Sequence, residues 1–158
     1  DYAYPWSDLV AELKFRGAVG LARPLAQLLR AANGVDAALE QADALIPLPL
    51  APGRLRSRGY NQALELARAL EPAKVDPTLL LRTQDGPPQR GLPRHERLHA
   101  VAQAFAVEPL QAPRIRNRHL VLVDDVMTTG ASLHAAARTL RQAGATHITA
   151  LVLARTPP

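Results

Sequence analysis

One stretch constrains this chain more than any other: Leu120-Val-Leu-Val-Asp124-Asp125-Val-Met-Thr128-Thr129-Gly130-Ala-Ser132. An apolar run ends in the only adjacent pair of acids in the sequence. A hydroxyl-rich turn with one glycine follows, then a helical pattern. A continuous apolar run of this length predicts a buried parallel strand. The acids then fall at its carboxyl end, where open α/β sheets take their ligands. Thr128, Thr129, Gly130 and Ser132 add hydroxyls and backbone N–H groups at a helix start, which together can cradle a phosphate. A carboxylate accepts hydrogen bonds from vicinal sugar hydroxyls, and the cradle takes a phosphate on the same sugar. The combination predicts a site for a ribose 5-phosphate. The plainer reading is a strand, a polar turn and a capped helix, which any α/β domain needs.

The ordered string, apolar strand, Asp-Asp, two residues, Thr-Thr-Gly-x-Ser, helix, resembles the phosphoribosyl pyrophosphate (PRPP) motif of type I phosphoribosyltransferases. A second string sharpens the resemblance. Pro47-Leu-Pro49 is followed by Arg54-x-Arg56-x-Arg58-Gly-Tyr-Asn61-Gln62-Ala. Three alternating arginines after a predicted strand at 42–48 suit a pyrophosphate, because guanidinium forks neutralise clustered oxygens. They equally suit a solvated basic loop. With Leu13-Lys14-Phe15-Arg16-Gly17 and Arg82…Gln89…Leu92…Arg97…Ala104-Phe105, the pattern is similar to the ComF/GntX family of competence-associated phosphoribosyltransferase-like proteins. It runs from about Tyr4 to Arg155.

The resemblance implies roles residue by residue. Asp124 and Asp125 would be the catalytic pair, holding the ribose hydroxyls directly or through Mg²⁺. Val126, Met127, Thr128, Thr129, Gly130, Ala131 and Ser132 would bind the ribose 5-phosphate. Pro47, Leu48, Arg54, Arg56 and Arg58 would meet the pyrophosphate. A flexible loop over 83–100, carrying Gln89, Arg90 and Arg97, would close over it and exclude water. Mg²⁺ would arrive with PRPP and take few protein ligands, with Asp124 and Asp125 as candidates. Purine enzymes of the hypoxanthine type place an acid just before the Thr-Gly; here Thr128 and Thr129 stand in that stretch. The family often carries a cysteine-rich zinc segment, which this chain lacks, and often has Asn where His99 stands. That segment would lie upstream of Asp1 or be absent.

Composition bounds the rest. At 158 residues the chain is expected to form one domain with a substantial core. Residues 1–34 read as a helical N-terminal part, either a hood over the sheet edge or a packing layer, and 42–156 as the core. Alternating strands (42–48, 78–81, 104–107, 119–124, 147–154) and helices (7–16, 23–32, 60–71, 131–143) predict an α/β fold. Its sheet would be open, twisted and mostly parallel, with helices on both faces. No cysteine means no disulfide framework. No apolar run spans a membrane, and the start lacks both Met and a signal pattern, so the chain reads as trimmed or as a fragment, while the absence of cysteine fits a cytoplasmic protein. The net charge is +5, and all but two of 19 basic residues are arginine. That balance fits phosphorylated ligands or nucleic acid, and equally a GC-rich codon bias. Together with the resemblance to competence-associated proteins, that balance makes single-stranded DNA or competence machinery partner expectations, and the reading allows a homodimer. His95 and His99 have metal-compatible i, i+4 spacing without a third ligand. Trp6 and Tyr60 suit either base stacking or the core. No P-loop, GxGxxG or Ser-His-Asp ordering occurs.

Two functions fit these residues. One is a phosphoribosyltransferase that displaces pyrophosphate from PRPP. The other is a non-enzymatic module on the same fold, binding single-stranded DNA or responding to PRPP.

Overall fold

The computed structural model describes residues 5–15, 18–83 and 103–156. Gln89, Arg90, Arg97, His95 and His99, with most of the expected closing loop, lie outside the described residues.

Three parallel strands form the centre: β1 (Ala44–Pro47), β4 (His119–Met127) and β5 (His147–Arg155), in the order β1-β4-β5. Period-two alternation sorts their side chains onto two faces. Leu45, Val121, Val123 and Leu151 enter one core cluster, with Leu13, Leu25, Leu39, Leu66 and Leu70. Ile46, Leu120 and Leu122 enter the other, with Leu133, Ala136 and Leu140. The first face is covered by α1 (Trp6–Phe15), α2 (Ala22–Arg30), α3 (Val35–Gln41) and α5 (Gln62–Leu70). The second is covered by α6 (Ala131–Gln142). Helices on both faces of a parallel sheet are thus present as expected. Leu122 is fully buried at the centre, and its truncation to Ala would cost about 2–5 kcal/mol.

Five elements differ from expectation. The strands near 78–81 and 104–107 do not join the parallel sheet. β2 (Leu80–Arg82) and β3 (Phe105–Val107) pair antiparallel as a separate ribbon. Phe105 and Leu80 pack this ribbon into the α6-side core. Among the described residues, only Val75, bridged to Leu45, extends the parallel sheet beside β1. Helix α3 occupies residues expected to be a link. Gly34, at φ +82°, both breaks the preceding segment and stands as N-cap of α3. The basic segment after β1, expected as a loop, is largely helix α4 (Pro52–Arg58). Pro52 sits in its first turn, where a missing N–H costs nothing. Finally, β4 runs on through both acids to Met127.

The N-terminal helices pack directly into the core. Leu13, Leu25 and Ala26 are buried there, and Trp6 packs against the same cluster. Arg30 Nη1 donates to the Leu70 carbonyl at 2.7 Å, tying α2 to the end of α5. Among the described residues no helix is long and apolar enough to cross a membrane.

Candidate functional site

Asp124 and Asp125 are chain neighbours in a strand, so their side chains leave on opposite faces. Asp124 follows Leu122 onto the α6 side. It lines an open hollow with Val126, Met127, Thr128, Thr129, Gly130, Ala131, Ser132 and Leu133. The hollow holds about 270 Å³ of empty space, part of it solvent. It is suited to one phosphate and part of a sugar, with the remainder left outside.

The turn geometry builds the hollow. Gly130 is at φ +73° and caps α6, with its carbonyl accepting from His134 N at 2.9 Å. A Cβ there would stand 3.2 Å from His134 Nδ1 and 3.5 Å from Met127 Sδ, in a backbone region side chains rarely enter. Thr129 Oγ1 accepts from Ala131 N at a long 3.4 Å. The first-turn N–H groups of this 12-residue helix have no intrahelical acceptor by construction, and Ala131, Ser132 and Leu133 of that turn line the hollow.

Asp125 follows Val123 onto the other face and is not part of the hollow's lining. Only 3% of it is exposed. Its Oδ1 accepts from Val126 N at 2.8 Å, and its Oδ2 lies 2.9 Å from Lys14 Nζ at the end of α1. That second contact is an ion pair without hydrogen-bond alignment. Asp124 Oδ1 accepts from Asp125 N at 2.9 Å. The Asp124 carboxyl is pushed up to about 7, first by burial, then by the Asp125 charge beside it.

The Arg54–Arg58 segment starts beside this edge. Pro47 is in register with Val123, and Leu48 N donates to the Val123 carbonyl at 2.9 Å, one residue before Asp124. On helix α4, Arg54 and Arg58 share a face while Arg56 points nearly opposite. Arg54 and Arg56 are exposed; Arg58 Nη1 donates to Gln62 Oε1 at 2.6 Å. The string Tyr60-Asn61-Gln62 is a connector. Asn61 caps α5 by accepting from Ala63 N at 2.9 Å, and its Nδ2 donates to the Leu48 carbonyl at 3.1 Å. The Tyr60 hydroxyl donates to the Leu13 carbonyl, next to Lys14. Tyr60 is therefore a tie between α1 and the α4–α5 junction.

A divalent ion held jointly by Asp124 and Asp125 does not fit this arrangement. Lys14 already stands against Asp125 Oδ2, and only Asp124 lines the hollow. Among the described residues no group of three or more acids or histidines is placed to hold a metal ion.

Lys14 is the site residue that residue-type reasoning missed. Its signal was present in composition: the sequence has two lysines among its 19 basic residues, and both are tied internally. Lys74 Nζ donates to the Leu39 and Glu40 carbonyls at 2.8 and 3.0 Å, capping α3.

The phosphoribosyl transferase domain model matches residues 16–157. The chain belongs to the phosphoribosyl transferase domain family. Competence protein F of Haemophilus influenzae is 35% identical over 98% of this chain and 69% of its own length. The DNA utilization protein YhgH of Escherichia coli K12 is 32% identical over 99% of this chain and 70% of its own length. Competence protein ComFC of Bacillus subtilis is 33% identical over 63% of this chain and 39% of its own. The resemblance drawn from the two motifs thus holds across nearly the whole chain. Among solved structures, a glutamine PRPP amidotransferase from B. subtilis, complexed with ADP and GMP, superposes with a TM-score of 0.52. It covers 87% of this chain and 26% of the enzyme's, at 19% identity, a likeness of fold alone.

Proposed function

We propose that this phosphoribosyltransferase-family domain binds PRPP through the 124–132 hollow and transfers its phosphoribosyl group to an acceptor. The observation that carries the reading is the union of Asp124 with the Thr128–Ser132 turn in one hollow. In this reading the turn and the α6 N-terminus hold the 5-phosphate. Asp124 accepts from a ribose hydroxyl. The segment from Pro47 through α4, beginning next to Val123, meets the 1-pyrophosphate with Arg54 and Arg56 as exposed charge. Mg²⁺ belongs to this reading as a companion of the ligand's diphosphate, since Lys14 stands against Asp125 Oδ2.

The transfer breaks the bond from C1 of ribose to the pyrophosphate oxygen, and that oxygen leaves with the electron pair. The acceptor's lone pair forms the new bond to C1 and its proton is lost to solvent or to pyrophosphate. The chain's part is positioning and charge stabilisation. No carboxylate stands at Thr128–Thr129, where purine enzymes of the hypoxanthine type place their acid.

A second reading has its own support. Arg54 and Arg56 are exposed on α4, and the relatives are named for competence and DNA utilization. On that reading the same domain is an accessory module that binds single-stranded DNA, and PRPP regulates it or is absent. A pyrophosphate-release assay with PRPP, Mg²⁺ and a panel of nucleobases and amines tests the first reading. Release above the no-enzyme rate, lost in Asp124→Asn, is the expected result. Tight PRPP binding without release from any acceptor favours a sensor. Single-stranded DNA binding that weakens with salt and with Arg54→Ala plus Arg56→Ala favours the accessory module.

A further inference from the structure

We propose that Lys14 is the resident counter-cation of Asp125, so that this acid is a positioning group and only Asp124 faces the ligand. The inference deepens the PRPP reading and rests on the hollow being the ligand site.

Three observations carry it. Strand alternation sends Asp125 away from the hollow and into the face packed by α1. There it is almost wholly buried, and an unneutralised carboxylate in that position would be strongly unfavourable. Lys14 Nζ, 2.9 Å from Oδ2, supplies the positive charge, with its own side chain 20% exposed. The ammonium already stands against Oδ2, and a compact point charge suits a single carboxylate oxygen better than a guanidinium fork. The third observation is that α1 is held in place from outside: the Tyr60 hydroxyl donates to the Leu13 carbonyl. Tyr60 lies between the arginine-bearing α4 and the cap of α5, so the lysine is fixed by the segment that adjoins the hollow.

Asp125 then acts through the backbone. Its Oδ1 takes the Val126 N–H, which steadies the peptide leading from the strand into the phosphate turn. Lys14 holds that carboxylate in place from its other oxygen. The site's demand for Mg²⁺ would reside in the ligand, not in the protein.

The test is made on the full chain with wild type, Lys14→Met, Lys14→Arg, Asp125→Asn and the double variant Lys14→Met/Asp125→Asn. Melting temperature is read with and without MgCl₂ and MnCl₂, in the absence of PRPP. Wild type and Lys14→Arg should move by less than about 1 °C on adding metal. Lys14→Met should melt about 5 °C or more below wild type and recover about 3 °C or more with metal, because a freed buried carboxylate gains a cation partner. The double variant should melt above Lys14→Met and lose the metal response. A metal response in wild type as large as in Lys14→Met, or one that survives in the double variant, overturns the assignment. Should Lys14→Met fail to fold, its soluble recovery only alongside Asp125→Asn supports the same pairing, and failure of both overturns it. A parallel PRPP titration of wild type separates the two claims. Absent binding with the metal pattern intact refutes the PRPP reading and leaves the lysine's role standing. Intact binding with the metal pattern absent refutes the lysine's role alone.

Discussion

The two ends of β4 carry the same group in opposite condition. At the amino end, Asp43 accepts from the His119 N–H at 2.8 Å and from Arg118 Nη1 at 3.1 Å. Its carboxyl is held below the usual carboxylate range, chiefly by that backbone hydrogen bond and then by Arg118. At the carboxyl end, Asp124 is pushed up to about 7 by burial and by Asp125. The first acid is satisfied by the fold and fastens Asp43 to the start of β4. The second is left in a state that a ligand with hydroxyl donors would relieve. On the PRPP reading, the acid at one end of the strand serves the fold and the acid at the other serves the ligand.

That contrast can be broken by substitution. Asp124→Asn should weaken PRPP about 30-fold or more while leaving the melting temperature equal or higher, measured by calorimetric titration and thermal melts. Loss of stability with unchanged affinity would place Asp124 with the structural acids. Gly130→Ala should lower PRPP affinity about 10-fold and the melting temperature by about 3 °C, since the new Cβ meets His134 in a left-handed backbone. Affinity unchanged in the face of that strain would mean the turn does not hold the phosphate.

The pH dependence sharpens the same comparison. The folded carboxyl of Asp124 is raised above its unfolded value of 3.8, so the native state binds the extra proton between there and about 7. Its contribution to stability therefore falls as pH rises through that window, and Asp124→Asn should flatten the slope. PRPP affinity should climb over the same range as the acceptor ionises. Asp43 has the opposite sign. Its depressed carboxyl contributes stability above the unfolded value and loses it as pH falls through the folded one. Because Asp43 is more than a third exposed, Asp43→Asn should shift the melting temperature by only about 2 °C or less, with PRPP affinity unchanged.

Much of this was legible from the residues. The Leu120–Val123 run, two acids and a Thr-Thr-Gly-x-Ser turn state a buried strand, an edge and a cradle, because each follows from local periodicity and turn chemistry. The divergence of Asp124 from Asp125 was implicit in the same period of two. The basic segment was read as a loop because Pro52-Gly53 looks like a turn, although proline in a first helical turn is equally at home. Helix α3 went unread because Asn33-Gly34 signals a stop, and nothing local shows that the next residues restart a helix. The Lys14–Asp125 pair joins residues at opposite ends of the chain and is set by the packing of α1, which no window of sequence contains. Arg58-Gly-Tyr-Asn-Gln stood out as a specific string, yet its Tyr60, Asn61 and Gln62 serve as ties and a cap.

The central claim is that Asp124 and the Thr128–Ser132 turn form one ligand site for PRPP. A calorimetric titration of wild type and Asp124→Asn with PRPP and Mg²⁺ at pH 8, with ribose 5-phosphate as the comparison ligand, tests it most directly. The account predicts saturable one-site binding of both ligands by wild type, PRPP the tighter, and a marked loss of both in Asp124→Asn. No PRPP binding by wild type, or equal binding by the variant, would contradict it.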